Sequence, residues 1–91
     1  MKIRKLDKRV EHKGTICSVE LVEIDGLIAE INLWSTSKNL YASPLMMASD
    51  PQMLVIKDSS KNQGIADALV DTGIVKMVLV KDDVRFCSLL V

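Results

Sequence analysis

The chain has 91 residues, the size of one domain spanning 1–91, and 48% of them are hydrophobic, which excludes an intrinsically disordered protein. Twelve basic and twelve acidic side chains cancel to a net charge of zero, and no run approaches the roughly 20 apolar residues of a membrane span. Only Trp34, Tyr41 and Phe86 are aromatic, so the core is expected to be aliphatic.

The charge is uneven along the chain. Residues 1–13 carry Lys2, Arg4, Lys5, Lys8, Arg9 and Lys13 against Asp7 and Glu11, and the remainder is correspondingly acidic. A basic end can steer an acidic partner or pair with its own body. Ile3, Leu6 and Val10 would suit one helix face, but Met1 and Ile3 alternate and the lysines favour an edge strand. This charged stretch lacks an apolar h-region and is not expected to be a secretory signal, so a cytoplasmic location is the expectation. His12-Lys13-Gly14 reads as a turn, with His12 exposed beside it.

In TICSVELVEI (15–24), Cys17, Val19 and Leu21 form the better apolar face. Asp25-Gly26 then separates two β-rich runs, a hairpin signal because the tight turn needs positive φ at both central positions. In LIAEINLW (27–34), Leu27, Ala29, Ile31 and Leu33 are expected to face one side. Such alternation argues for an antiparallel sheet with one wet face. Ser35 to Asp50 is rich in serine and turn formers and reads as the longest irregular segment. A helical turn after Pro44 is one option within it.

Met53 to Lys57 reads as a short strand, and Asp58 to Asn62 is rich in capping and turn residues. A helix is predicted over Gln63 to Thr72. Ile65 with Leu69, and Ala66 with Val70, are apolar pairs at i,i+4 on adjoining stripes. Gly73 fits the positive-φ position that ends it, followed by Ile74 as an apolar contact. Ile74–Val80 and Val84–Val91 read as a hairpin turning at Asp82-Asp83. The expected fold is therefore α+β: a mainly antiparallel sheet of five to six strands with one short helix packed on one face.

Candidate chemistry is sparse. The Asp58–Gly64 loop precedes a helix start, where free N–H groups attract phosphate, but DSSKNQG matches neither the Walker nor the dinucleotide pattern and reads as a cap. Asp58, Asp67, Asp71, Asp82 and Asp83 fit no calcium loop. Glu20, Glu23, Asp25 and Glu30 are an acidic set of the kind a metal-dependent nuclease uses. His12 has no nucleophile beside it, and the serines lack an elbow motif. Cys17 and Cys87 fit no metal or redox spacing and read as buried hydrophobes. No cofactor and no metal are expected, and the chain is not expected to be an enzyme.

The order of parts resembles a family of small uncharacterised bacterial proteins from conjugative and phage-like mobile elements of gut Firmicutes and Bacteroidetes. The matching pieces are Asp25-Gly26, AEINL (29–33), VIKDSSKNQGI (55–65), LVDTGIV (69–75) and VRFCSLL (84–90). The stretch after the helix is shorter here and lacks the family's Gly- and Tyr-rich insertion. The resemblance implies an accessory gene of a mobile element and carries no catalytic residue.

The function expected from all this is a non-enzymatic, cytoplasmic protein-interaction module, with an inhibitor of a host defence enzyme as one version. Its candidate surface is Trp34, Tyr41, Leu45, Met46 and Met47, because exposed Trp, Tyr and Met are enriched at interfaces. The alternatives are a nucleic-acid-binding accessory protein using Lys2, Arg4, Lys5, Lys8 and Arg9, and a metal-dependent nuclease-like enzyme. Homodimerisation through an open sheet edge is a further expectation.

Overall fold

Period-two alternation and three tight turns build most of this chain. The computed structural model describes residues 1–50 and 53–91, with side chains described outside 46–50. Strands β1 (Lys2–His12), β2 (Thr15–Ile24), β3 (Leu27–Ser35) and β4 (Leu40–Ala42) form one sheet in the order β1-β2-β3-β4. Strands β5 (Leu45–Asp50), β6 (Met53–Lys57), β7 (Val75–Lys81) and β8 (Val84–Leu89) form a second, in the order β5-β6-β8-β7. All six pairings are antiparallel. A 3-10 turn at Ser60–Asn62 and helix α1 (Ile65–Asp71) connect β6 to β7.

The mainly antiparallel α+β architecture agrees with the sequence pattern, but one sheet of five to six strands becomes two sheets of four. The difference lies in residues 35–50, expected to be irregular. There the serines and Asn39 make one compact turn: Ser35 N–H donates to Asn39 O (2.9 Å), Lys38 N–H to Ser35 O (2.9 Å), and Lys38 adopts φ 64°. That frees the apolar residues that follow it to become β4 and β5. Pro44 heads no helical turn; its carbonyl accepts Lys57 N–H at 3.0 Å, beside the start of β5.

The turns follow their composition. Lys13-Gly14 and Asp25-Gly26 take φ of 50° and 80°, and 53° and 80°, the paired positive values of a tight two-residue hairpin. Lysine-rich β1 is an edge strand, as its charge predicts. The expected inward set of β3 holds only in part. Ile31 and Leu33 are buried, but Leu27 and Ala29 are exposed and Ile28 is buried instead. A bulge causes this: Val22 pairs with Glu30 and Glu23 with Ile28, so Ala29 is the extra residue and the faces exchange beyond it.

Both sheets contribute to one aliphatic core, in which Val10, Cys17, Val19, Leu21, Ile31 and Leu33 of the first join Leu54, Ile56, Val75 and Cys87 of the second. The helix adds Ile65, Ala66 and Leu69 to it and lies against β1 and β7. At seven residues, shorter than the predicted Gln63–Thr72, α1 is well below the roughly 12 residues at which an isolated helix becomes even marginal. Tertiary bonds must therefore fix both its ends.

At the start, Asp58 is buried, and its two carboxylate oxygens accept the N–H groups of Gly64 (2.8 Å) and Ala66 (3.0 Å). At the finish, Gly73 N–H donates to Val70 O (2.9 Å) and Ile74 N–H to Leu69 O (3.1 Å), with Gly73 at φ 74°. This is the Schellman pattern, and Ile74 and Leu69 are both fully buried, as its apolar contact requires. Lys8 of β1 adds a third tie, donating from Nζ to Thr72 O at 3.0 Å, where a cation also complements the helix dipole.

Asp58→Ala removes two charge-assisted acceptors and strands the helix N–H groups, so it is expected to lower the unfolding free energy by about 2 kcal/mol. Asp58→Asn, which keeps one acceptor oxygen, is expected to lose less. Urea titration followed by circular dichroism measures both.

Candidate functional site

Alternation that sends Cys17, Val19 and Leu21 inward sends their neighbours to the outer face of the first sheet. Cross-strand register arranges these in rows: Ile3–Val22–Glu30, Lys5–Glu20–Asn32, and Arg9–Ser18–Trp34–Leu40. Ile16, opposite Glu11, extends the same face, and Ile3, Ile16 and Leu40 are about half exposed there. The described residues supply no second layer over this face: the core lies on the other side.

Its centre is an open concavity of about 380 Å³ lined by Lys5, Glu20, Trp34 and Lys38. Trp34 is half-buried, and its indole N–H is covered but has no hydrogen-bond acceptor. Beside it on β3, Asn32 is only 6% exposed. Its amide N–H donates to Glu30 (3.1 Å) and to Glu20 (3.4 Å), and its own oxygen finds no donor. Two unmet groups, one donor and one acceptor, thus stand next to a wall of two long lysine chains and an aromatic ring. Unmet buried groups of this kind cost about 1–3 kcal/mol each.

The structure separates the five expected interface residues. Trp34 faces outward. Tyr41 is turned to the interior, where its hydroxyl lies 2.8 Å from His12 Nδ1, and Leu45 is partly buried against the core. The side chains of Met46 and Met47 lie outside the described residues. The expected basic set is also dispersed. Lys5 and Arg9 share the Trp34 face, Lys2 pairs in register with Glu23, and Lys8 holds the helix end. Arg4 donates to Val91 O at 3.2 Å and approaches Glu23 at 3.9 Å.

His12, expected at the surface, is buried. Its Nε2 lies 2.7 Å from Gln63 O. A carbonyl can only accept, so Nε2 carries the proton there, and in a neutral ring Nδ1 accepts from Tyr41. The bond matters geometrically. It spans from β1 to β4, the two outer strands of the first sheet, which lie roughly 14 Å apart in a flat sheet. The sheet must therefore curl, and His12 pins that curl to the residue preceding the helix cap. The turn-like EHKG context gave no sign of this, because the partners are 29 and 51 residues away.

The remaining candidates resolve simply. The Asp58 loop is a cap, as its composition suggests: the Asp58 carboxylate itself occupies the amides at the helix start. Among the described residues no three His, Cys, Asp or Glu side chains are placed to hold a metal, and no helix is long and apolar enough to cross a membrane. Cys17 and Cys87 sit on different sheets as free, buried thiols. Burial raises both above the usual 9.0, with Cys87 pushed up to about 11, its rise helped by Asp58 and Asp67 and opposed by Arg85.

Comparison with protein-family models, with curated proteins and with solved structures finds no match. The resemblance to mobile-element proteins thus rests on the motif order alone.

Both thiols are expected to resist a disulfide reagent at pH 8 in the native protein and to react when urea is added. Because the folded chain holds the thiol protons more tightly, the unfolded chain releases them first. The thiol contribution to stability is therefore intact below pH 9.0 and declines as pH rises from there towards about 11. Urea midpoints across that range check the sign.

Proposed function

We propose that this chain is a non-enzymatic protein-interaction module that engages its partner through the outer face of the first sheet, centred on Trp34. The observation that carries this reading is the open concavity in which Trp34 stands between Lys5, Lys38 and Glu20. An indole ringed by polar side chains is the composition of an interface hot spot: the ring supplies desolvated area and the rim supplies orientation. Ile3, Ile16 and Leu40 extend the apolar contact around it.

The basic set alone supports nucleic acid less well. Arg4 and Lys8 are bonded to backbone carbonyls of the chain's own C-terminal half, and Glu20 and Glu30 share the face that Lys5 and Arg9 occupy. The resemblance to mobile-element accessory proteins makes a cytoplasmic host enzyme, such as a defence nuclease, the first partner class to test.

With purified candidate enzymes as targets, Trp34→Ala is expected to weaken binding roughly 30-fold, the equivalent of a hot-spot loss of about 2 kcal/mol. Phe86→Ala, on the second sheet, serves as the control and is expected to leave binding within about threefold. Equal affinity of the Trp34→Ala variant and the unaltered protein for a bound enzyme would refute the surface assignment.

A further inference from the structure

The two sheets treat their outer strands differently. Edge strand β1 presents Lys2, Lys5, Lys8 and Arg9 to solvent, which deters pairing with another chain. Edge strand β7, VKMVLVK, carries lysines only near its ends, at Lys76 and Lys81. Val78, Leu79 and Val80 are exposed in succession at 53%, 56% and 54%. A bulge explains the run: Met77 pairs with Cys87 and Leu79 with Phe86, so Val78 is extra and the alternation that would hide one of the three is broken. The helix lies against β7 and Val75 is buried, while Lys76 and the run from Val78 to Asp82 are exposed.

We propose that the exposed part of β7, from Lys76 onward, pairs antiparallel with the same segment of a second copy of the chain, forming a two-fold dimer. The inference is independent of the Trp34 reading and rests on charge arithmetic along the strand. Of the charged residues near it, Lys76 and Lys81 lie in β7 and Asp82 and Asp83 just beyond. In the antiparallel register centred on Leu79, Leu79 meets its own copy, Val78 meets Val80, Met77 meets Lys81, and Lys76 meets Asp82. Two opposite-charge pairs then flank an apolar centre, one on each side of the axis. Sliding the strands one residue in one direction sets Lys76 against Lys81 twice, and sliding them in the other sets Lys76 against Asp83, so charge opposes the first shift and permits the second. The chain's net charge of zero adds no long-range repulsion between copies. Self-pairing also covers the apolar run that would otherwise stand as an aggregation site.

Multi-angle light scattering at rising concentration, up to about 100 µM, a range in which a micromolar dimer is populated, is the test. The unaltered protein is expected to approach twice its 10.1 kDa chain mass. Leu79→Lys is expected to hold the mass at that of one chain while circular dichroism and urea midpoint stay near those of the unaltered protein. Lys76→Glu alone and Asp82→Lys alone, each of which turns the flanking pairs into like-charge pairs, are expected to weaken the dimer at least tenfold, and the two together to restore it. Lysine is a fair choice at residue 82, where φ is 54°, because Lys13 and Lys38 already adopt 50° and 64°. A monomer throughout the concentration range would overturn the proposal. So would a dimer indifferent to Leu79→Lys, or single charge reversals that the double exchange fails to rescue.

Discussion

The buried carboxylate of Asp58 is the constraint on which the second half of the molecule depends. It stands just past the end of β6 and reaches forward to the amides of Gly64 and Ala66, setting where α1 begins. Its own N–H donates to Asp83 O at 2.7 Å, which ties the same residue to the turn between β7 and β8. One side chain and its peptide thus fix a strand end, a helix start and a hairpin tip. A seven-residue helix has too little cooperativity to form on its own. Without that anchor the buried Ile65, Ala66 and Leu69 would have no fixed register against the core. His12 repeats the device from the first sheet, joining Tyr41 of β4 to the Gln63 carbonyl one residue before the Gly64 cap.

Local features of this fold were legible in the sequence, and non-local ones were not. Asp25-Gly26, Lys13-Gly14 and the Gly73-Ile74 helix end depend on residues within a few positions of one another, and each forms as its composition predicts. The same holds for the strand Met53–Lys57 and for the Cys17, Val19, Leu21 face. The exchange of faces in β3 was hidden because a bulge at Ala29 leaves no mark in the hydrophobic pattern. The division into two sheets was hidden for a different reason. Serine and asparagine in residues 35–39 read equally as a long loop or as one compact turn, and only pairing with β3 and β6 decides between them.

The candidate site was partly legible too. Trp34 stands out in a chain with three aromatic residues, and its polar neighbours on adjacent strands follow once the hairpin register is known. Lys38 joins it only because the Ser35–Asn39 turn folds back beside β3. Tyr41 has the same composition signal as Trp34 and the opposite role, since a buried histidine takes its hydroxyl. A fold of this kind does not by itself decide function. Two exposed surfaces stand out among the described residues: a sheet face around an indole, and an edge strand with three apolar side chains exposed in succession.

Amide hydrogen exchange of Gly64 and Ala66, resolved by NMR, tests most directly whether Asp58 anchors the helix. Their N–H groups are bonded to a buried carboxylate, so they are expected to exchange as slowly as the core amides of Ile56 and Leu69. Exchange as fast as that of the amides of exposed Thr36 or Lys61, with β6 and β8 still protected, would contradict the account.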